Sequence, residues 1–200
     1  MPSLVGSEMC IRDRFGTQTA GVVLNVPISK TLFSRFVFES HESDGYIEND
    51  FKDSNTTNDR DELTSRAKFA WQVKENWSLN LSLAFIDVDN GYDAFSLDNN
   101  RHTLSDEPGF DRQNSAYVSL KSSWQLDGID IDVLWNQSDS DLDYGYDEDW
   151  SYTGIHPWGY TSTDHYFRKR DTTSAEIRLL SNESGRVFAD TTDWVLGLSY

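Results

Sequence analysis

The sequence is poor in several features that would indicate common protein classes. It has one cysteine, Cys10, which excludes a disulfide framework and a thiolate metal cluster. Lys and Arg number 17 against 34 Asp and Glu, and the net charge of −17 argues against a nucleic-acid partner, because phosphate binding needs a basic surface. No apolar run approaches the roughly 18 residues of a membrane helix. Membrane-spanning β-strands are not excluded by this, since each needs only about 9–11 residues.

Aromatic residues are plentiful, at 14% of the chain with seven Trp. A disordered acidic chain would be poor in aromatics, so the composition indicates a folded protein. The mean hydropathy of −0.62 is compatible with barrel strands, in which only every second residue faces lipid.

Residues 61–90 carry the clearest pattern, two alternating segments joined at Lys74-Glu75-Asn76. The apolar parity holds Leu63, Ala67, Phe69, Trp71 and Val73, then Trp77, Leu79, Leu81, Leu83 and Phe85. The other parity is polar and includes Arg66 and Lys68. Because side chains alternate across a strand, the pattern predicts a hairpin with one apolar and one polar surface. Charges in mid-strand are typical of the wall of a water-filled lumen.

The same unit repeats along the chain, giving eight predicted strands. Short turns such as Asp127-Gly128 alternate with three long polar stretches: Ser43–Arg60, Gly91–Arg112 and Ser138–Arg170. This asymmetry predicts an all-β fold, a transmembrane antiparallel up-and-down β-barrel with periplasmic short turns and external long loops. Four tryptophans lie near the short-turn ends, where an aromatic girdle is expected: Trp71, Trp77, Trp124 and Trp194. A soluble β-sandwich with one wet face shares the alternation and is the alternative.

The first fourteen residues do not fit this pattern. Met1–Arg14 has neither the apolar region nor the cleavage site of a signal peptide. Its string Ser7-Glu8-Met9-Cys10-Ile11-Arg12-Asp13-Arg14 is similar to a translated sequencing adapter. We therefore interpret residues 1–14 as a non-native segment and residues 15–200 as the barrel domain.

Several segments of the barrel domain resemble the early barrel of a TonB-dependent outer-membrane receptor. They are Asp44-Gly45-Tyr46-Ile47-Glu48-Asn49, Asn58-Asp59-Arg60-Asp61-Glu62 running into Arg66-Ala67-Lys68, Thr173-Ser174-Ala175-Glu176-Ile177-Arg178-Leu179-Leu180-Ser181, and Asp193-Trp194-Val195-Leu196-Gly197. The family often has a Glu-Leu-Arg-Leu core, from which Ile177 departs mildly.

The resemblance implies a barrel of the 22-stranded type, of which about eight strands are present and the plug domain and C-terminal strands are absent. It implies the outer membrane of a Gram-negative bacterium, contact with outer-membrane lipid, and coupling to the TonB complex through the missing plug. The implied function is energised uptake of a scarce nutrient, a ferric siderophore first. Cobalamin or an oligosaccharide is the alternative within this class, and a soluble carbohydrate-binding β-sandwich is the alternative outside it.

The sequence offers no arrangement that indicates an enzyme. No nucleophile, base and orienter occur at an informative spacing, and the four histidines are scattered. No cofactor or metal is predicted. Asp139, Asp141 and Asp143 imitate the opening of a calcium loop, but Tyr144 replaces its turn glycine and Trp150 its bidentate glutamate. A solvated acidic loop is the alternative interpretation.

The long stretches hold residues suited to ligand capture. The candidate ligand-binding residues are Tyr92, Phe95, Arg101, His102, Tyr144, Tyr146, Trp150, Trp158, His165 and Arg168. An interface belt with loop self-packing explains the aromatics equally well. The basic members suit an anionic iron chelate, whereas the surrounding carboxylates favour a neutral, cationic or metal-loaded ligand. The sequence leaves these possibilities open.

Overall fold

The computed structural model describes residues 15–200 in full and residues 5–12 as backbone. Residues 1–4 and 13–14, which belong to the segment interpreted as non-native, lie outside the described residues. The elements in chain order are β1 (Val5–Arg12), β2 (Gln18–Pro27), β3 (Leu32–Ser43), β4 (Glu48–Asn49), β5 (Arg60–Lys74), β6 (Trp77–Tyr92), β7 (His102–Thr103), β8 (Gly109–Gln125), β9 (Ile129–Asp147), β10 (Thr163–Ser181), a 3₁₀ turn (Glu183–Gly185) and β11 (Val195–Ser199).

Nine of these strands form one antiparallel sheet in the order β1-β2-β3-β5-β6-β8-β9-β10-β11. Each strand therefore pairs with the next long strand of the chain, which confirms the all-β, up-and-down arrangement. All eight predicted strands are present, and β1 adds a ninth. The sheet is open, since no pairing joins β1 to β11 within the described residues. The short strands β4 and β7 pair in parallel as a separate sheet.

The register gives the large sheet one apolar and one polar face. Paired residues share a face, and Phe69 pairs with Leu81, which pairs with Leu120. This apolar face continues through Leu24, Phe36, Trp135, Ile177 and Leu198. On the opposite, polar face Arg35 pairs with Lys68. The predicted alternation of the strands is confirmed.

The apolar face is uncovered. Among residues 15–200, the one buried apolar side chain is Ile47, at 5% exposure, and it lies in a long loop. Phe38, Trp71 and Leu198 on the apolar face are 48%, 45% and 75% exposed. In the part of the chain that the structure describes, no second layer packs on the large sheet. The two packed layers of a β-sandwich are therefore not observed there.

The apolar face has a defined height along the strands. In β6 it runs from Trp77 to Phe85 and is followed on the same face by Asp87 and Asp89. Eight residue steps span about 27 Å along a strand. In β9 the apolar run likewise ends at Trp135. We call this zone the apolar band.

The connections at the two ends of the sheet differ in length. Residues 28–31, 75–76 and 126–128 form short turns at one end, and residues 44–59, 93–108 and 148–162 form long loops at the other. The predicted asymmetry is confirmed for these six connections, whereas residues 182–194, which join β10 to β11 at the short-turn end, form a connection of intermediate length. The predicted boundaries are wrong, most of all for the third stretch. β9 continues to Asp147 and β10 begins at Thr163, so both ends of the stretch Ser138–Arg170 are strand. Above the apolar band both faces are polar, and the alternation that marks a strand in the sequence disappears.

The four tryptophans predicted to form an aromatic girdle all lie at the short-turn end. Trp77 and Trp124 are register partners with stacked rings 6.0 Å apart, and Trp71 pairs with Leu79, two residues along β6. The Trp194 carbonyl accepts a bond from the Ser181 amide beside the start of β9. The indole N–H groups of Trp77 and Trp194 donate to the Ser122 hydroxyl and the Gly185 carbonyl at 2.9 Å. These rings combine an apolar body with a satisfied polar tip, as interface residues do.

Throughout the described residues, no helix is both long and apolar enough to cross a membrane.

Candidate ligand-binding site at the long-loop end

The first two long loops are joined by a buried carboxylate. Asp93, at 3% exposure, accepts three hydrogen bonds on Oδ2: from Asn49 Nδ2 at 2.7 Å, Thr57 Oγ1 at 2.7 Å and Thr103 Oγ1 at 2.8 Å. Asn49 and Thr103 also belong to the small parallel sheet. Because buried polar groups are costly unless paired, this network holds the two loops as one unit.

The third long loop is tied to the second. The Asp106 amide donates to the Ser151 carbonyl at 3.0 Å, and the Thr153 amide donates to Asp106 Oδ2 at 3.1 Å. Farther out, the rings of Phe51 and Tyr152 stack at 4.8 Å, which links the first loop to the third. All three loops therefore contact one another and form a common rim.

An open cavity of about 510 Å³ lies at this rim. Its lining defines the aromatic cup: Phe95, Tyr144, Tyr146, Glu148, Trp150 and Tyr166. Trp150 stacks on Phe95, with ring centroids 5.1 Å apart and an interplanar angle of 7°. Phe95 also contacts Tyr146 at 5.5 Å, and Tyr144 contacts Tyr166 at 6.2 Å. The volume is within the range of small-molecule sites.

Strand register positions most of these rings. Tyr144 and Tyr146 share the polar-face parity of β9, and Tyr166 of β10 is the register partner of Tyr144. Tyr92 packs behind the cup, 4.9 Å from Tyr144, although β8 lies between their strands. The β8 residue paired with Tyr92 is Gly109, where a Cβ would meet the Gly145 carbonyl at 2.0 Å. Glycine thus permits a close backbone approach that brings Tyr92 and Tyr144 into contact.

Trp150 is held in an uncommon backbone conformation. Its φ of +61° lies in the left-handed region, which costs free energy for a bulky residue. Asp147 Oδ1 accepts hydrogen bonds from the amides of Trp150 and Asp149, both at 3.2 Å, and so fixes the turn. Asp147 is 5% exposed, its Oδ2 has no hydrogen-bond partner among the described residues, and burial raises its pKa. A buried carboxylate therefore positions one wall of the cup.

Carboxylates dominate the electrostatics of the cup. Tyr146 and Tyr166 both donate through their hydroxyls to Asp164 Oδ2, at 2.9 and 3.2 Å. The bond to Asp164 raises the pKa of Tyr146 to about 12, and burial followed by the bond to Tyr92 raises that of Tyr144. Glu148 lines the cavity itself and accepts a bond from the Ser162 hydroxyl. The tyrosines are therefore neutral donors, and the charges beside them are negative.

The structure brings together half of the predicted ligand-binding residues. Tyr144, Tyr146, Trp150 and Phe95 line the cup, and Tyr92 supports it. Glu148 and Asp164 were missed, because within a long acidic stretch no local signal distinguishes them. Tyr166 was predicted to lie in a long loop, but it lies in β10. Had the strand been recognised, its alternation would have indicated that Tyr166 shares a face with Tyr144.

The other five predicted residues lie apart from the cup lining. Trp158 is 89% exposed, and the Arg101 guanidinium lies 5.9 Å from the centre of the Phe15 ring. His102 pairs with Asp50 at 3.0 Å, and His165 pairs with Asp143. Arg168 follows Tyr166 by two residues on the polar face, farther from the loops, and is not a lining residue.

The structure shows neither a calcium loop nor the solvated acidic loop at Asp139, Asp141 and Asp143, so the loop interpretation is wrong. Asp139, Asp141 and Asp143 lie in β9 and share one face, and Lys169 Nζ contacts Asp141 Oδ2 at 3.1 Å. Strand pairing spreads the three carboxylates along a ladder, whereas a calcium loop would fold them around one ion. Within the described part of the chain, no group of three or more His, Cys, Asp or Glu residues could hold a metal ion.

No protein-family model, no curated protein and no solved structure matches this chain.

Proposed function

We propose that this sheet is part of the wall of a transmembrane β-barrel in a Gram-negative outer membrane, and that the barrel is a receptor for TonB-energised nutrient uptake. One observation carries the proposal. The sheet has an uncovered apolar band about 27 Å long along its strands, opposite a charged face, and at the usual barrel tilt of about 40° this length would cover about 20 Å of membrane, close to the lipid-facing height of outer-membrane barrels.

Exposure to water would be unfavourable for this apolar band. Each large apolar side chain gains roughly 1.5–3 kcal/mol on leaving water, and the band holds one such residue at nearly every second position. Contact with lipid gives the side chains the same gain in free energy without a second protein layer. In β6 and β9 the apolar residues are followed on the same face by Asp87 and Asp89 and by Asp139 and Asp141, as expected where lipid gives way to water.

The polar face favours a wide lumen. Arg35 and Lys68 are direct cross-strand partners, and like charges so placed repel unless water screens them. Other long charged residues on this face are Glu39, Arg66, Glu176 and Arg178. A narrow barrel would have to pair each of these charges in its interior, at a high desolvation cost. A larger barrel avoids this cost, in keeping with the proposed 22-stranded type.

The open edges require neighbouring strands. In lipid every backbone N–H and C=O must be paired, which the outer edges of this sheet cannot achieve alone. The proposal therefore includes further strands beside both edges, and a plug through which the TonB complex acts. The proposed cargo is a ferric siderophore, the first ligand class implied by the family resemblance, with cobalamin or an oligosaccharide as alternatives.

Cysteine labelling in intact cells tests the membrane orientation. In a Cys10→Ser background, Trp158→Cys places a thiol in a long loop and Glu75→Cys places one in a short turn. A membrane-impermeant maleimide should label Trp158→Cys on intact cells and label Glu75→Cys only after lysis. Recovery of the protein in the soluble fraction, or the reverse labelling pattern, would overturn the proposal.

Uptake of radiolabelled ferric siderophore tests the transport step. Deleting the gene should abolish TonB-dependent uptake of the cognate chelate, and restoring it should recover uptake. If uptake of every ferric chelate tried is unchanged while cobalamin or oligosaccharide uptake falls, the cargo assignment is replaced and the receptor function stands.

A further inference from the structure

Two rings of the aromatic cup remain partly exposed to solvent. Trp150 is 39% exposed and Tyr166 is 50% exposed, although both belong to the cavity lining. Loop self-packing would bury these rings, whereas here the stacked Trp150–Phe95 pair forms a wall and leaves the cavity open. The faces of aromatic rings carry negative electrostatic potential and attract cations.

The charged side chains next to the cup also favour a cation. Glu148 lines the cavity, and Asp164 holds the hydroxyls of Tyr146 and Tyr166. Asp111 is the register partner of Tyr144 on β8. Two cations on the same face of β10, Arg168 and Arg170, lie two and four residues farther down the strand than Tyr166 and outside the lining. An anionic group entering the cup would meet carboxylates and ring faces, and the Tyr146 and Tyr166 hydroxyls already donate to Asp164, so the anion would lose its water at a high cost.

The cup is also built in advance of ligand. Its Trp150 wall is fixed by the Asp147 side chain, and its floor by the Tyr144–Tyr166 register pair. Rings held in place lose little conformational freedom on binding, which is why rigid aromatic cages suit small cationic groups.

We infer that the aromatic cup binds an ammonium group, so that the ligand taken up carries an organic cation at the part that enters the cup. The inference rests on the proposed function, which places the cup outside the cell, and it narrows the cargo to ligands bearing such a group. A chelate that is anionic over its whole surface is excluded from the cup.

Choline and two analogues of similar shape test the charge preference. The neutral analogue is 3,3-dimethyl-1-butanol and the anionic one is 3,3-dimethylbutanoate. Calorimetry uses the protein extracted in detergent from the outer membranes of the cells that produce it. Choline should bind about tenfold more tightly than the neutral analogue, and the anion most weakly.

Variants locate the binding. Trp150→Leu should weaken choline binding about tenfold, Trp150→Tyr should restore most of it, and Glu148→Gln should weaken it several-fold. Trp158→Leu is the matched control, a tryptophan of the same loop outside the cup, and should leave choline binding unchanged. Each variant should reach the outer membrane in wild-type amount.

Three results would overturn the inference: no saturable choline binding, equal binding of the neutral analogue, or tighter binding of the anion. An equal loss in Trp158→Leu would also overturn it. These results are separable from failure of the proposed function, because maleimide labelling reports membrane orientation without any ligand. If the maleimide labelling pattern is as expected and choline binds no better than its analogues, only the inference about the aromatic cup is rejected.

Discussion

Asn49 donates a 2.7 Å hydrogen bond to the buried carboxylate of Asp93, 44 residues later in the chain. The bond joins the first long loop to the second, and these loops also contact each other through the short β4–β7 pair. Since Thr57 and Thr103 donate to the same oxygen, one side chain holds much of the first two loops together.

Replacing Asp93 should loosen both loops. Asp93→Ala removes the common acceptor of buried Asn49 and Thr103 and of half-buried Thr57, and we expect a loss of roughly 2–4 kcal/mol in local stability. Amide hydrogen exchange and limited proteolysis should show faster opening of residues 44–59 and 93–108. The exposed neighbour Asp98 provides the control, and Asp98→Ala should leave exchange at wild-type rates. Unchanged protection in Asp93→Ala would show that backbone pairing of the small sheet holds the loops by itself.

The Asp147 turn should depend on pH. Because burial raises the Asp147 pKa, the folded loop favours the protonated carboxyl. The stability that the protonated Asp147 carboxyl adds to the folded loop is fully present below the pKa of an unfolded Asp, about 3.9. It is lost as the pH rises through the raised pKa of the folded loop. Asp147→Asn keeps the Oδ1 acceptor for Trp150 and places a neutral amide near the Ser105 hydroxyl. The variant should therefore remove the pH dependence and resist proteolysis in the third loop better at pH 7.

A scan of third-loop proteolysis from pH 4 to pH 7 measures this effect. Glu107→Gln, at an exposed position of the second loop, should retain the wild-type pH profile. A steeper profile in Asp147→Asn would contradict the assignment.

His102 and Asp50 form an exposed pair between the first two loops. The hydrogen bond to Asp50 raises the His102 pKa, so the pair stabilises the loops below about pH 6.5 and loses this contribution as the pH rises through the raised value. Asp50→Asn should lower the His102 pKa toward its ordinary value, as measured by NMR titration of the ring. Asp53→Asn is the control at an exposed position of the same loop. A lowered pKa in both variants would indicate a general charge effect in place of the specific pair.

Adjacent residues of β8 test the two faces of the sheet. Leu120 lies on the apolar face between Leu81 and Trp135, and Ser119 lies on the polar face between Ser82 and Asn136. In the proposed barrel, Leu120→Arg places a charge in lipid at a cost of about 2–4 kcal/mol, while Ser119→Arg places it in the water-filled lumen. The yield of heat-modifiable protein in the outer membrane should fall for Leu120→Arg and be nearly unchanged for Ser119→Arg. The opposite order would reverse the assignment of the faces.

The sequence determined most of the sheet, because strand identity there is written in local alternation. Leu79, Leu81 and Leu83 mark one face and Asn80 and Ser82 the other, and a shift of one residue would exchange them. Turn residues such as Asp127-Gly128 set the short connections for the same local reason. Alternation fails above Trp135, where both faces meet water, and there the predicted strand ends were wrong.

The aromatic cup shows where sequence information ends and tertiary structure begins. The residue types were visible, and Tyr92, Phe95, Tyr144, Tyr146 and Trp150 were all candidates. Which of them meet was decided by the pairing of β8, β9 and β10, by the missing side chain at Gly109 and by the Asp147 turn. Arg101, His102 and Trp158 looked equally suitable in the sequence, but Arg101 lies against Phe15, His102 pairs with Asp50, and Trp158 is exposed to solvent. Composition and periodicity are local properties that one strand can carry, whereas a site requires several strands and loops to converge in space.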